Sequence, residues 1–168
     1  MSAVKAADKP LYVLVDTNVW VDSFLGFRSG HSAAMEFLDA ATQKAVQLLY
    51  PVSALQDVFA ILIMEMKRRA MESGQVSEDI AWGIRESAWA CIDSLCQNAV
   101  SVGAQESDVW LASKLRGVNW DLEDNMVLAA AKRCEADYLV TSDAHLIQKA
   151  NVTAYTPTDM AKLLLAMS

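Results

Sequence analysis

The chain has 168 residues, of which 54% are hydrophobic and 21% charged, enough for one compact domain with a sizeable core. Its formal net charge is −7, which argues against a partner held by a broad basic footprint, as nucleic acids usually are. That objection weakens where carboxylates serve to hold cations, because bound ions reverse the local field.

Met1 to Pro10 lacks the apolar stretch of a signal peptide and is expected to be a tail, followed by a single domain over 11–168. Leu11-Tyr-Val-Leu-Val15 is a continuous apolar run that ends at Asp16, the pattern of a strand buried on both faces. A short helix is expected from near Val19. Ser32 is placed to cap a helix to about Lys44, and Val46 to Tyr50, stopped by Pro51, reads as a second strand. Ser53 is placed to cap an apolar helix that ends in Lys67-Arg-Arg69 and is broken by Gly74.

Ser77-Glu-Asp opens another long helix, with Ile80, Ile84, Ala88, Cys91 and Leu95 on one face and Trp82 and Trp89 on an adjoining one. A short strand near Val100 to Ala104 follows, then a helix from Ser107-Asp108 to about Arg116. Asp121 is expected to cap a helix over Leu122 to Cys134. Asp137 to Thr141 reads as a strand, Ala144 to Ala150 as a short helix, Val152 to Tyr155 as a last strand, and Pro157 starts a terminal helix through Leu165. Strands alternating with helices predict a three-layer α/β/α sandwich around a mainly parallel sheet of about five strands. The apolar runs fall well short of a membrane span. Cys91, Cys96 and Cys134 are odd in number and share no metal-ligand spacing, which fits free thiols in a reducing cytoplasm.

The chemistry concentrates on acids. Asp16 is the first polar residue after one apolar strand, and Asp143 is the second residue after another. In an open α/β sheet such strand ends face the crevice where ligands bind. Asp124 falls in the first turn of a helix whose following residues are too apolar for a solvated face. Converging carboxylates repel one another and are tolerated when protonated, paired or bound to metal. Hard ions such as Mg²⁺ or Mn²⁺ take oxygen ligands, and paired ions catalyse in-line phosphodiester hydrolysis.

Val15-Asp-Thr-Asn-Val-Trp20, Asp121-Leu-Glu-Asp-Asn-Met-Val-Leu-Ala-Ala-Ala131 and Asp137-Tyr-Leu-Val-Thr-Ser-Asp143 resemble, in order and spacing, the three signature segments of the PIN domain family. The resemblance runs from about Leu11 to Tyr155. It implies a metal-dependent endoribonuclease acting on single-stranded RNA, with VapC-like toxins of toxin–antitoxin pairs among its relatives. By the resemblance, Asp16, Asp124 and Asp143 are the acidic metal ligands and catalytic residues. Asp57 stands where the family's pattern has Glu, one methylene longer, and completes the set. The stretch from about Lys67 to Asn98 is longer than in compact toxin members.

Each residue also has a simpler reading. A lone Asp after a strand is commonly a turn or cap residue. Asp121 reads as a cap, and Glu123 as a solvent-facing residue able to tune the site. Thr17, Asn18 and Ser142 are candidates to support the acids, or they make local turn hydrogen bonds. His145 reads as a surface residue. Lys67-Arg-Arg69 can grip phosphates or simply favour the helix dipole. Two further functions compete with the nuclease: a non-catalytic binding or interaction module of the same fold, and a phosphatase-like hydrolase. Thr17-Asn18 counts against the phosphatase, which wants a second Asp close after the first. The apolar surplus, with Trp82, Trp89 and Trp110, predicts a homodimer, and an antitoxin is a possible further partner.

Overall fold

The computed structural model describes residues 10–167, so the tail expected over 1–10 lies outside it except for Pro10. The elements run β1 (Tyr12–Val15), α1 (Thr17–Phe24), α2 (His31–Gln43), β2 (Gln47–Pro51), α3 (Ala54–Glu72), α4 (Glu78–Asn98) and β3 (Val100–Val102). They continue with α5 (Glu106–Leu115), α6 (Leu122–Arg133), β4 (Tyr138–Val140), α7 (Ala144–Lys149), β5 (Ala154–Tyr155) and α8 (Pro157–Ala166). All four strand pairings are parallel, and the five-stranded sheet has the order β3-β2-β1-β4-β5.

Alternation along β1 divides the core. Val13 and Val15 pack with Val19, Trp20, Phe37, Val58, Leu62 and Leu164, on the face covered by α1 to α4 and α8. Leu14 packs with Leu49, Val127, Leu128, Leu139 and Leu146, on the face covered by α6 and α7. Because β1 is buried on both faces, it carries no polar residue until the chain leaves the sheet at Asp16. The three-layer sandwich expected from the alternation of elements is the observed one.

The strand order fixes where a crevice opens. From β1 the chain steps outward through β2 to β3, then returns to place β4 on the other side of β1. The sheet therefore reverses direction between β1 and β4, and the carboxyl ends of these two neighbours form the switch point.

Several local expectations change. The first helix begins at Thr17, with Asp16 itself as its cap. Helix α2 starts from Gly30 with no side-chain cap, so Ser32 lies inside the helix. Ser53 precedes α3 without a capping bond, whereas the Ser77 hydroxyl accepts from the Ile80 N–H. Gly74, at φ 147°, occupies a backbone region that L side chains avoid and stops α3. In α4 the buried stripe is Ile84, Ala88, Ile92 and Leu95, while Ile80 and Cys96 are exposed. Among the described residues, no helix is long and apolar enough to cross a membrane.

Candidate acidic site

Acids from three sequence-distant segments line one cavity at the switch point. Asp16, Asp121, Glu123, Asp124 and Asp143 line one cavity of about 200 Å³, together with Thr17, Asn18 and Arg28. Asp16 follows β1, Asp143 follows β4, and Asp121 to Asp124 form the mouth of α6. Asp57, in the first turn of α3, lines an adjoining cavity of about 420 Å³, whose wall shares Thr17 and Glu123 with the first.

Asp16 is the buried member. Its Oδ1 accepts from the Thr17 N–H at 2.8 Å, and its Oδ2 accepts from the Thr141 hydroxyl at 2.6 Å. Its own N–H donates to Val140 O at 3.0 Å, which ties the end of β1 to β4. Burial raises its pKa; the two hydrogen bonds oppose that, and the charges of Asp124 and Asp143 add to it.

Asp124 sits in the first turn of α6, where its N–H donates to the capping Asp121 Oδ1 at 3.1 Å. Its Oδ2 accepts from Asn119 Nδ2 at 2.9 Å. Its pKa is also raised, first by desolvation and then by the charges of Asp121 and Asp143, against the Asn119 bond and the nearby His145. Asp143 caps α7: its Oδ1 accepts from the N–H groups of His145 and Leu146. Glu123 is exposed yet lines both cavities, and desolvation followed by the Asp57 and Asp16 charges raises its pKa.

The supporting polar residues divide unevenly. Thr17 contributes its N–H to Asp16. Asn18 bridges to the β4 end, donating from Nδ2 to Thr141 Oγ1 at 3.3 Å and accepting on Oδ1 from the Ser142 N–H at 3.1 Å. Ser142 takes part through that N–H. Three residues had escaped notice. Thr141 is wholly buried and links Asp16, Asn18 and the Asp143 N–H. Its signal was present, as a hydroxyl directly after an apolar strand. Asn119, also buried, positions Asp124 and accepts from the Asp121 N–H; only its place two residues before a cap hinted at this. Arg28 supplies a cation to the cavity wall, held by Asp22 Oδ1 at 2.6 Å and Glu65 Oε1 at 3.5 Å, and nothing in its sequence setting announced it.

None of Lys67, Arg68 and Arg69 lines the acidic cavity. Arg68 pairs with Glu65 and Glu72, and Arg69 with Glu72, within the same helix. His145 is exposed, as expected.

The donor set is all oxygen, and neighbouring carboxylates help to raise the pKa of Asp16, Asp124 and Glu123, so it fits a hard divalent cation in chemistry and in charge. Among the described residues, no three acidic, His or Cys side chains already stand close enough to hold an ion between them. A cation held among them would offset the repulsion between like charges.

A family model described as a PIN domain matches residues 12–145. No curated protein matches. The fold is similar to that of several solved structures. One is PAE2754 from Pyrobaculum aerophilum, at a TM-score of 0.59 and 14% identity, covering 94% of this chain and 91% of that one. Another is VapC20 of Mycobacterium tuberculosis, described as a sarcin-ricin loop cleaving toxin, at a TM-score of 0.59 and 12% identity, covering 81% and 93%. A third is VapBC2 from Rickettsia felis bound to a DNA fragment from their promoter, at a TM-score of 0.56 and 14% identity, covering 87% and 98%. At these identities the likeness is one of fold.

Proposed function

Because the chain belongs to the PIN domain family, we propose that it is a divalent-metal-dependent endoribonuclease hydrolysing phosphodiester bonds of single-stranded RNA. The observation that carries this reading is the single cavity lined by Asp16, Asp124 and Asp143 at the switch point of the sheet. Asp16, Asp124 and Asp143 would hold Mg²⁺ or Mn²⁺, with Asp57 reaching in from the adjoining cavity. Such an ion supplies Lewis-acid activation of water and charge stabilisation of the leaving oxygen.

The chain's own groups prepare the rest. Thr141 and the Thr17 N–H fix the Asp16 carboxylate at the end of β1. Asn119 does the same for Asp124. Arg28 offers the cavity a positive charge for a substrate phosphate, and its partners Asp22 and Glu65 hold it in place. A role as the toxin of a toxin–antitoxin pair is supported by the likeness to VapC20 and VapBC2, and an antitoxin would then be a natural partner. A second reading, a non-catalytic module of the same fold, is favoured by one feature: the acids do not already converge, and Asp57 lines the neighbouring cavity.

Cleavage of a mixed-sequence single-stranded RNA, with Mn²⁺ and with EDTA, separates the two. The nuclease reading expects cleavage with Mn²⁺ alone and none in Asp16→Asn, since Asn keeps the size but loses the charge that holds a hard cation. Added Mn²⁺ should raise the Tm of the wild type more than that of the variant. Equal cleavage under both conditions, or full activity in Asp16→Asn, sinks the mechanism. Metal binding without cleavage of any tested RNA moves the assignment to the non-catalytic module.

A further inference from the structure

Among the described residues, Trp120 is the most exposed large hydrophobic residue, with 78% of its surface open, and it immediately precedes Asp121, the cap of α6. The backbone on both sides of it is pinned. Asn119 is buried, its N–H donates to Leu115 O at 2.9 Å, and its carbonyl accepts from Asn125 Nδ2 at 2.8 Å. The Asp121 N–H donates to Asn119 Oδ1 at 3.1 Å, and Asp121 lines the acidic cavity. A large exposed ring thus stands next in the chain to a residue that lines the cavity, and its backbone is held by Asn119, which also positions Asp124.

A cation lies over the ring. The Arg116 guanidinium carbon is 4.9 Å from the Trp120 centroid. The same segment repeats the pairing one stretch earlier, where Lys114 Nζ lies 5.5 Å from the centroid of Trp110, itself exposed. Aromatic rings interleaved with cations are the chemistry by which proteins hold single-stranded nucleic acid: bases stack on the rings and phosphates meet the cations. The charge of the cavity wall itself is mostly acidic, with Asp16, Asp121, Glu123, Asp124 and Asp143 against the single cation Arg28. Arg116 and Lys114 therefore give this stretch the one sign of charge that a phosphate backbone seeks.

We propose that Trp120, backed by Arg116, is a stacking platform for an unpaired base of single-stranded RNA flanking the phosphate in the acidic cavity. The proposal rests on the nuclease reading and adds to it how a strand is positioned and why it must be unpaired, since a base inside a duplex has no free face to offer. Rigid presentation lowers the ordering cost of binding. Because the ring is exposed and lies outside both hydrophobic clusters, its removal should leave the fold intact.

The test is binding of a labelled short single-stranded RNA, followed by fluorescence anisotropy with Ca²⁺ and with EDTA. It compares the wild type with Trp120→Ala and Trp120→Phe, each checked by thermal melting. Trp120→Ala should weaken binding about tenfold or more, and Trp120→Phe should keep most of it. RNAs with a single abasic position add a cycle: one position should cost the wild type affinity and cost Trp120→Ala nothing further. Unchanged binding in Trp120→Ala, or duplex RNA competing as well as single strands, overturns the platform while Mn²⁺-dependent cleavage keeps the nuclease reading alive. Failure of the wild type both to bind and to cleave single-stranded RNA removes both. A halved mass for Trp120→Ala in light scattering also overturns it, because a second copy of the chain would then be what covers the ring.

Discussion

Thr141 is wholly buried, and its hydroxyl donates to Asp16 Oδ2 while accepting from the Asp143 N–H and from Asn18. One oxygen thus sets the relative positions of the two strand-end acids. Thr141→Val keeps the shape and removes all three bonds. It should lower cleavage by about 10–100-fold, the usual cost of losing a group that orients a metal ligand, and stability by about 1–3 kcal/mol. Thr141→Ser, which retains the hydroxyl, should recover most of the activity. A fully active Thr141→Val would show that Asp16 is held in place without it. Asp16 also makes a prediction in pH. Its raised pKa means the folded chain binds that proton more tightly than the unfolded chain does. The stability so gained is present below the ordinary value of 3.8 and is lost as pH rises through the raised one. In EDTA, Asp16→Asn should therefore gain in Tm on the wild type as pH rises from about 4 to 7. Asp108, whose pKa is lowered by its bond with Arg133, has the opposite sign, but it is common to both proteins and cancels in the difference. A constant gap across that range would show that the Asp16 carboxyl is not disfavoured in the fold.

At the scale of elements, the site depends on how α6 is anchored, because its cap is Asp121 and its first turn carries Glu123 and Asp124. The anchor is at the other end. Arg133 Nε donates to Asp108 Oδ1 at 2.7 Å, and Nη2 reaches both Asp108 Oδ2 and the Gly103 carbonyl, which joins α6 to α5 and to the end of β3. Asp108 is only 2% exposed. Arg133→Ala should cost roughly 3 kcal/mol, since it leaves a buried carboxylate without its cation. Arg133→Ala with Asp108→Asn should recover part of that loss. Urea denaturation of the four proteins gives the coupling, and strictly additive losses would deny it. This pair was not legible in the sequence, because its members are far apart in the chain and neither stands in a pattern. The elements themselves were legible wherever hydrophobic periodicity ran long, as in β1, α3 and α6. Starts decided by one side chain were not: Ser32 looks like a cap, yet Gly30 takes the position, and Asp16 was read as a ligand while it also caps α1. The acids after β1 and β4 could be read because parallel strands end in crevices, whereas Asn119 acts through local loop bonds that no pattern announces and Arg28 is held partly by Glu65 from another helix.

Over the whole molecule the apolar excess is unevenly placed. Trp20 is buried in the core, whereas Trp82, Trp89, Trp110 and Trp120 are exposed. Trp82 and Trp89 stand seven apart on α4 and Met64 and Met71 seven apart on α3, all four exposed, and the Trp89 ring lies 4.9 Å from that of Phe59, which joins the two helices. The periodicity of α4 showed two faces but not that the second would stay uncovered, since nothing in the pattern tells core from interface. Exposed apolar clusters of this kind mark surfaces that meet another protein. A chain of net charge −7 repels its own copies at long range, so self-association has to come from such an apolar face. We therefore expect a homodimer through α3 and α4, with Trp82, at 64% exposure, near its centre. Trp82→Lys should shift the mass in light scattering at micromolar concentration from dimer to monomer and leave the melting profile of the isolated fold cooperative. Trp120→Ala, in the loop between α5 and α6, should leave the dimer whole. If the wild type is already monomeric at that concentration, the α3–α4 face is not a self-interface. In that case an antitoxin becomes its better occupant, and co-purification of a small partner with the wild type but not with Trp82→Lys is the observation expected.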